Sequence, residues 1–577
     1  MKRLPAVTAF IAAALVCAPP ATTQELPETW QERNQFRAGP TPFEPLMEFW
    51  YELDEMSEIV SMRPLAETLL GRQFDLVTIA DPPITNPEDA IRSGKTIVLL
   101  APSVHGGEVS PKEAVQLVAK DLVGGELRPL LDDVIVLVIP LINPDGGEVR
   151  RRTNEAGYDM NRDYVKLESQ EIHALVTRVM NEWTPDIHVD GHHGGSAPYV
   201  ITYQGTLNPA ADSALRAYPY EHIFPLIREA VGEEDYASFD YSGVRTEDGV
   251  RGWGSTSVEP RKHHVYTGLV NSIGILLETP SGSHRVMRDG TVAGIPEEER
   301  YYHQIRGGVL ATRAILEAAA RQREAIRAVT TGARLRAIEA GRTGGDEIVL
   351  DYALESRGEE PVWMPDEEVE EEDVYSLETV PVFLRWVPTR TTARPVGYLL
   401  PPAMASVVPL LLDHDIAVYR FRAPAALDAE VYYATDVNRD EYFQGHYLKS
   451  VEVEKEQETL EVVEGWFWIP TAQSRANLIS YLMEPETDDN LITWGWADHV
   501  LEVTPESVDE VLAGFLGDRD PSTIPADQMA RMRERAQEAF EERQRVPMMR
   551  VMTHQPLPVI RVEPFNEVQR NRFYRPY

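Results

Sequence analysis

Cysteine is almost absent from this 577-residue chain, which has a single one at position 17. One cysteine cannot form an intramolecular disulfide, and Cys17 lies in an apolar segment at the start of the chain. If that segment is removed, the mature protein has no thiol, no disulfide and no cysteine ligand for a metal. The chemistry of the mature chain therefore has to come from other residue types.

Basic residues are also scarce. There are 55 of them against 93 acidic residues, the formal net charge is −38, and only eight of the basic residues are lysine. Proteins that bind DNA or RNA need basic faces to contact the phosphate backbone. The composition therefore argues against a nucleic-acid partner and indicates an acidic, well-solvated surface.

Long hydrophobic runs are missing as well, so no membrane span is predicted. The run from Val7 to Val16 is shorter than the roughly 20 apolar residues that cross a bilayer. Positive residues precede this run and the small residues Ala18 to Ala21 follow it, as in a secretory signal peptide. We expect residues 1–24 to be cleaved and the protein to be secreted or periplasmic. A lipid anchor on Cys17 is the alternative, but the preceding Val16 is large for lipoprotein processing.

Buried strands alternate with helices through the first 340 residues, which predicts an α/β fold. The continuous apolar runs indicate a mixed, mostly parallel sheet flanked by helices over residues 25–340. The predicted strands are 95–100, 133–142, 186–189 and 273–277, and the predicted helices are 111–123, 169–183 and 297–339.

The remainder of the chain differs in character. Residues 341–379 include the strongly acidic stretch Asp366 to Asp373 and are predicted to form a linker or loop. Residues 380–577 contain short strand-like segments around helices. We expect them to form a second, mixed α/β or β-rich domain, whose role the sequence does not indicate.

Two potential metal ligands follow the strand 95–100. In the sequence His105-Gly-Gly-Glu108, an imidazole and a carboxylate are three residues apart at a strand-to-helix junction. The two glycines allow a tight turn, so both side chains can reach one metal ion. Taken alone, this short pattern is common, and a surface turn is the alternative.

A second histidine, His188, lies on the predicted strand 186–189. A lone histidine there is more often a packed core residue. Together with His105 and Glu108, however, it completes the set of two histidines and one glutamate that is typical of catalytic zinc. The sequence therefore predicts one zinc ion per chain.

Between these ligands lies a basic stretch in an otherwise acidic chain. Arg150, Arg151 and Arg152 are consecutive, and Asn161 is followed by Arg162. A guanidinium group beside an amide donor is suited to binding a carboxylate, so these residues indicate an anion site. A surface cluster of arginines is the alternative.

In this order, the motifs resemble those of zinc carboxypeptidases of the carboxypeptidase A type, in the form of a large bacterial secreted member. The shared pattern is His-x-x-Glu, an Asn-Pro-Asp-Gly turn at residues 143–146, a basic stretch, Asp-x-Asn-Arg at residues 159–162, a strand histidine and a glutamate that ends a late strand. The resemblance covers about residues 60–330.

The resemblance implies a role for each matching residue. His105, Glu108 and His188 would bind zinc. Glu278, at the end of the strand 273–277, would be the general base that takes a proton from the attacking water.

Three further roles concern the substrate and the metal ligands. Arg152 would stabilise the oxyanion of the tetrahedral intermediate. Asn161 and Arg162 would bind the C-terminal carboxylate of the substrate. Asp159 would accept a hydrogen bond from His105.

The sequence departs from the family pattern at two places. Many members have an arginine before the ligand glutamate, where this chain has Gly107. The mobile tyrosine of the family cannot be placed by spacing; Tyr266 is a candidate substrate-binding residue, with core packing as the alternative.

The resulting prediction is a secreted zinc metallocarboxypeptidase that hydrolyses the C-terminal bonds of peptide or protein substrates with a water molecule activated by zinc. Two other hydrolases fit the same ligands: a zinc deacylase of N-acyl amino acids and a cell-wall peptidase. From another class, a binding protein with a degenerate site would lack a ligand or the base. No such residue is missing here.

Overall fold

The computed structural model describes residues 26–366, 374–505, 507–517, 519–541 and 543–562. The predicted signal peptide, residues 1–24, lies outside the described residues. So does most of the acidic stretch, residues 367–373.

The α-helices are α1 (Trp30–Arg33), α2 (Phe43–Met56), α3 (Pro87–Ser93), α4 (Ser110–Gly124), α5 (Pro144–Val149), α6 (Gln170–Leu175), α7 (Asn181–Trp183), α8 (Ser213–Tyr218), α9 (Phe224–Gly232), α10 (His263–Leu269), α11 (Glu297–Arg321), α12 (Arg323–Thr343), α13 (Val407–Asp413), α14 (Ala476–Met483), α15 (Val508–Leu516) and α16 (Ala526–Glu541).

The strands are β1 (Val60–Glu67), β2 (Gln73–Ile79), β3 (Thr96–Pro102), β4 (Val134–Val138), β5 (Ile187–His192), β6 (Ile201–Gly205), β7 (Ser238–Asp240), β8 (Gly243–Glu247), β9 (Val250–Gly254), β10 (Ile273–Glu278), β11 (His284–Val286), β12 (Val292–Gly294), β13 (Glu347–Pro365), β14 (Tyr375–Ala393), β15 (Gly397–Leu400), β16 (Tyr419–Phe421), β17 (Ala425–Phe443), β18 (His446–Val462), β19 (Phe467–Pro470), β20 (Gln544–Val551) and β21 (Val559–Arg561).

An eight-stranded sheet forms the centre of the first part of the chain, in the order β1-β2-β4-β3-β5-β10-β6-β7. The pairs β4/β3, β3/β5, β5/β10 and β6/β7 are parallel, and the other three are antiparallel. Strands β3, β4, β5 and β10 are buried along their whole length. Burial on both faces explains their continuous apolar runs, and the predicted mixed, mostly parallel sheet flanked by helices is confirmed.

Helices cover this sheet and supply much of its core. Helix α11 packs against α4 and α9. Side chains of these helices and of the strands form one buried apolar cluster, which includes Val98, Val136, Ile187, Ile275, Val118 and Ile315.

The last part of the chain, from residue 380 onwards, is β-rich, as expected. Its seven-stranded sheet has the order β18-β17-β20-β15-β19-β16-β21, and every pair in it is antiparallel. A second apolar cluster joins this part to the first: it contains Tyr164 and Tyr266 as well as Tyr398, Leu410 and Leu482. The two parts of the chain therefore share a core.

The predicted linker is wrong over the described residues 341–366 and 374–379. Helix α12 continues to Thr343, and β13 and β14 form a long antiparallel hairpin over most of the remainder. The acidic side chains of β13 lie mostly on exposed or half-buried positions, while Val362 and Met364 are fully buried. A strand with one exposed face accommodates many charges, so acidic composition alone does not distinguish it from a loop.

The same hairpin joins the two parts of the chain. Strand β14 pairs in parallel with β9, and the resulting four-stranded sheet has the order β13-β14-β9-β8. None of the helices in the described part of the chain is long and apolar enough to cross a membrane.

Candidate active site

The predicted site residues gather at the carboxyl ends of three neighbouring strands. Strands β3 and β10 both pair in parallel with β5, so their carboxyl ends lie at one edge of the sheet. His105 and Glu108 lie in the loop between β3 and α4, and Glu278 is the last residue of β10. Ligand sites in sheets of this kind form at such an edge.

A tight turn after β3 brings His105 and Glu108 together. The backbone N–H of Glu108 donates to the carbonyl oxygen of His105 at 3.0 Å. Between them, Gly106 lies against the start of α5, where a Cβ atom would come within 2.1 Å of the backbone of Gly146. Only glycine fits at this position.

Three side chains form a cluster that can hold a metal ion: His105, Glu108 and His192. Nδ1 of His105 lies 2.6 Å from Oε1 of Glu108, and Nδ1 of His192 lies 2.7 Å from Oε2 of the same carboxylate. One ligand atom from each residue lies within 4.8 Å of the others. Two histidines and one glutamate are the donor set of many catalytic zinc sites.

The outer nitrogen of each histidine faces a second carboxylate. Nε2 of His105 lies 2.9 Å from Oδ1 of Asp159, which is the contact expected for Asp159. Nε2 of His192 lies 2.9 Å from Oδ1 of Asp190, which is fully buried. Carboxylates placed in this way orient metal-binding imidazoles and fix their tautomers. Both Nδ1 atoms therefore point toward Glu108, and the arrangement fits a zinc ion.

The charges of the cluster favour an ionised carboxylate at Glu108. Burial acts to raise the pKa of Glu108, but the neighbouring His192 and His105 lower it below its ordinary value. Although burial also opposes ionisation of Asp190, His192 and His263 hold the pKa of that carboxyl well below its usual range. The anionic form is the one that a metal ion requires.

His188, the predicted third ligand, does not belong to this cluster. It is the second residue of β5, and its Nδ1 lies 3.4 Å from Nε2 of His263 in the core. His192 is four residues further along the same strand, a distance of about 13 Å. His188 is therefore the packed core residue, and His192 takes the predicted place beside His105 and Glu108.

Glu278 lies beside the metal-binding cluster. In the parallel pairing of β10 with β5, Glu278 is the direct partner of His192. Its carboxylate approaches the loop after β5, where a Cβ atom on Gly194 would lie 2.7 Å from its Oε2 atom. Burial raises the pKa of Glu278 to about 8, although the charge of His192 acts in the opposite direction. A buried carboxylate next to a metal site is suited to accept a proton.

Arg152 also reaches the cluster. Its Nη1 atom lies 3.4 Å from Oε1 of Glu108, and its Nη2 atom lies 2.9 Å from Oδ2 of Asp159. The neighbouring Arg151 points elsewhere, to Glu155. Of these two arginines, Arg152 is the one with a place in the site.

Asn161 and Arg162 both line the same cleft. The side-chain oxygen of Asn161 accepts a hydrogen bond from the backbone N–H of His263 at 2.9 Å, and its Nδ2 atom lies 3.2 Å from Nε2 of His192. Arg162 donates to the backbone carbonyl of Asn161 at 2.8 Å. Asn161 thus also helps to build the site, while Arg162 presents a guanidinium group to the cleft.

Tyr266 was predicted in the cleft, but the structure places it in the core. Its ring is fully buried, and its hydroxyl lies 2.8 Å from Nδ1 of His414. Tyr241, which follows β7, lines the cleft instead. Burial and the nearby Glu278 raise the pKa of Tyr241 above its ordinary value, so it remains a hydrogen-bond donor.

The cleft has a volume of about 370 Å³, which is enough for part of a peptide. Most of its lining is polar or charged. The lining residues are His105, Glu108, Arg152, Asn161, Arg162, His192, His193, Gly194, Tyr241, Ser242, Ser255, Thr256, Ser257, Lys262, His264, Leu276 and Glu278.

Several residues of the site were not predicted from the sequence, among them His192, Asp190, Tyr241 and Lys262. A signal existed for His192, because it is the last residue of β5 and the ligands collect at strand ends. The strand was predicted to end at Val189, so His192 was not predicted as a metal ligand. Tyr241 and Lys262 reach the cleft through the tertiary fold, and no local pattern identifies them.

Part of the chain is similar in sequence to known carboxypeptidases. Residues 46–199 match the sequence model of a family described as zinc carboxypeptidase. Carboxypeptidase 2 of Trichophyton rubrum is 23% identical over 449 residues, which cover 74% of this chain and 78% of that protein. Cytosolic carboxypeptidase 3 of Mus musculus is 27% identical over 180 residues, which cover 30% of this chain and 17% of that protein. A solved metallo-carboxypeptidase from Burkholderia cenocepacia has a TM-score of 0.37 and 23% identity, covering 48% of this chain and 69% of that chain.

The matched range contains His105, Glu108 and His192. The predicted resemblance to zinc carboxypeptidases is confirmed by this match. The expectation of a large bacterial member is not, because the curated relatives matched over most of the chain are fungal.

Proposed function

The chain contains a zinc carboxypeptidase domain, and on this premise we propose that it is a zinc-dependent metallocarboxypeptidase that hydrolyses the C-terminal bonds of peptides. One observation carries the proposal. The Nδ1 atoms of His105 and His192 converge on Glu108. Directly beside them in the sheet, Glu278 is the strand partner of His192.

One zinc ion per chain would be held by His105, Glu108 and His192. The chemistry that a bound zinc ion supplies is Lewis acidity, which polarises a carbonyl group and lowers the pKa of water. Asp159 and Asp190 hold the two imidazole rings in the orientation that this binding needs.

Glu278 would accept the proton of the attacking water molecule and pass it to the leaving amine. The strand pairing fixes its backbone next to His192, and its burial keeps bulk water from competing for the proton. Arg152, in contact with Glu108, is placed to donate to the oxyanion that forms on the scissile carbonyl.

Arg162 would bind the free carboxylate at the C-terminus of the substrate. It lines the cleft with Lys262, whose ammonium group pairs with Glu259 at 2.7 Å. A planar guanidinium group can make two parallel hydrogen bonds to a carboxylate, which an uncharged C-terminal amide cannot match. This selectivity would make the enzyme an exopeptidase.

Matched peptide pairs test this assignment. We expect peptides with a free C-terminal carboxylate to be cleaved at least about 10-fold faster than the same peptides with an amidated C-terminus, because a hydrogen bond to a charged group contributes about 1.5–3 kcal/mol. Arg162→Ala should erase most of this difference and keep its zinc. The measurement is kcat/KM for each pair on both proteins.

The same assay separates the alternatives. Equal cleavage of amidated peptides or of internal bonds by the wild type would exclude a carboxypeptidase. Faster turnover of N-acyl amino acids than of any peptide would favour the deacylase.

Export forms a separate part of the proposal. The apolar run from Val7 to Val16 between positive and small residues supports a cleaved signal peptide and a secreted or periplasmic enzyme. Determining the N-terminal residue of the protein isolated from its native source tests it: a chain that still begins at Met1 would contradict cleavage.

A further inference from the structure

One wall of the cleft belongs to the segment of residues 255–264, which connects β9 to the first turn of α10. Ser255, Thr256, Ser257, Lys262 and His264 all line the cleft. For most of its length this segment is neither helix nor strand. Contacts with other parts of the chain therefore have to fix its position.

The beginning of the segment is held by the hairpin β13–β14. Val382 and Phe383 of β14 pair with Trp253 and Gly254, the last residues of β9. The backbone N–H of Ser255 then donates to the carbonyl oxygen of Phe383 at 3.3 Å. A strand from the last part of the chain thus fixes the point at which the wall begins.

The end of the segment is held by Asp489. The backbone N–H of Arg261 donates to Oδ2 of Asp489 at 3.1 Å, and its guanidinium Nε donates to the same oxygen at 3.2 Å. The guanidinium group also lies over the rings of Phe443 and Trp494, at 5.5 and 5.4 Å from their centroids. Nε1 of Trp494 donates to the other oxygen of Asp489 at 3.0 Å.

This contact is well placed to act as a clamp. Asp489 is completely buried, and it engages both the backbone and the side chain of Arg261. A buried hydrogen-bonded charge pair is directional, and leaving one partner unpaired is costly. Arg261 does not itself line the cleft, so its contribution must pass through its neighbours.

The next residues along the chain are parts of the site. Lys262 lines the cleft directly, and the backbone N–H of His263 donates to the side chain of Asn161. Nδ1 of His263 also lies 3.5 Å from Asp190, the carboxylate behind His192. A shift of Arg261 would therefore move Lys262 and disturb the support of Asn161.

We propose that Asp489 is a positioning residue of the active site: it clamps Arg261 and thereby sets the cleft wall that carries Lys262 and supports Asn161. The last part of the chain then has a defined role in substrate binding. The kinetic consequence rests on the proposed function, whereas the placement of residues 255–264 does not.

Asp489→Asn tests the clamp, because it removes the charge and keeps the shape. For peptides with a free C-terminal carboxylate, we expect KM to rise at least about 10-fold, the size expected when a charge-assisted contact is lost, with kcat changed less than about 3-fold. Zinc content should not change. Amide hydrogen exchange of residues 255–264 should become faster than in the wild type.

Asp488→Asn is the matched control. Asp488 is the adjacent acid; it is exposed, and its side chain accepts from the hydroxyls of Tyr352 and Tyr481 and makes no hydrogen bond to Arg261. We expect this variant to keep the wild-type KM and the wild-type exchange of residues 255–264. An equal rise of KM in both variants would reduce Asp489 to a general stability role and overturn the proposal.

A second variant and a measurement that does not depend on peptidase activity complete the test. If Asp489→Asn does not fold, Arg261→Lys keeps the charge but loses the guanidinium contacts, and it should show the same rise of KM and faster exchange. If the wild type cleaves no peptide, the proposed function fails, yet the exchange measurement still applies. Unchanged exchange of residues 255–264 in a folded clamp variant would refute the positioning role.

Discussion

Two histidines on one strand illustrate how position decides chemistry in this protein. His188 and His192 both belong to β5 and have the same parity, so their side chains lie on the same face of the sheet. His188 lies deep along the strand against His263, whereas His192 ends the strand beside Glu108. Only the side chain at the strand end can bind the same metal ion as the residues in the loop after β3.

Metal content should therefore distinguish the two histidines. We expect His192→Ala to lose most of its zinc, because one of three protein ligands is removed. His188→Ala should retain about one zinc per chain and lose stability instead, since it leaves a cavity in the core. Elemental analysis and thermal unfolding of both variants check this. A zinc-free His188→Ala protein that is fully folded would restore His188 to the site.

The role of Glu278 as the base can be tested by a substitution that keeps its size. Glu278→Gln keeps the size of the side chain but cannot accept a proton, so turnover should fall by at least roughly 10²-fold while zinc stays bound. Steady-state kcat and the zinc content of the same preparation give the answer. Wild-type turnover in this variant would mean that another carboxylate serves as the base.

At the residue scale, the sequence predicts the site where the residues lie in short ordered motifs. His105, Glu108, Arg152 and Asp159 are found together: the first two lie in the loop after β3, and the other two lie in the segment after α5. Tyr266 was only a candidate, because its spacing from Glu278 along the chain does not identify the family's mobile tyrosine. Such spacing does not indicate which way a helix faces, and the side chain is in the core.

Among the elements, the connection from β3 to α4 has tight steric limits. Gly106 lies against the backbone of Gly146 at the start of α5, whereas a Cβ atom on Gly107 would be 3.2 Å from its nearest neighbour, the carbonyl oxygen of Arg150. The turn and helix α5 therefore have to move apart if a side chain is added at Gly106. A side chain is therefore excluded at Gly106 and is tolerated better at Gly107.

Alanine at each glycine tests this difference. Gly106→Ala should lower the free energy of unfolding by about 1–3 kcal/mol or more, the range for overpacked sites, and should weaken zinc binding because His105 and Glu108 separate. Gly107→Ala should change both quantities less. Chemical denaturation and zinc titration provide the measurements, and equal effects of the two substitutions would contradict the steric argument.

Element boundaries account for most of what the sequence did not predict. The buried strands β3, β4 and β10 follow from continuous apolar runs, because burial on both faces leaves few alternatives. Strand β5 extends to His192, beyond its predicted end, since Gly191 and His192 carry no apolar signal. Strand β13 and the start of β14 were predicted as a linker because the acidic stretch Asp366 to Asp373 lies between them.

For the whole molecule, the question is whether the first part of the chain can fold alone. Its side chains share an apolar cluster with the last part, and Arg475 donates to the carbonyl oxygen of Val270 and to the side chain of Asn181. Removing the last part would expose this surface to water. The division into a catalytic and a separate C-terminal domain is therefore not a division into independent folding units.

A chain that ends at Thr343 tests this expectation. We expect it to be insoluble or to lack a cooperative thermal transition, because the shared core is opened. Calorimetry and near-ultraviolet circular dichroism of the shortened chain, beside the full chain, are the measurements. A sharp transition together with one bound zinc would show that the first part is self-sufficient.

The contacts of the last part of the chain also set an order of assembly during synthesis. All the proposed catalytic and metal-binding side chains have been made once the ribosome reaches Glu278. The hairpin strand that holds Ser255, the Gln444 side chain that accepts from the backbone N–H of Asp159, and Asp489 itself are made later. A growing chain therefore carries a complete set of reactive groups but an unfinished cleft, and its hydrolytic activity would begin only near the end of translation.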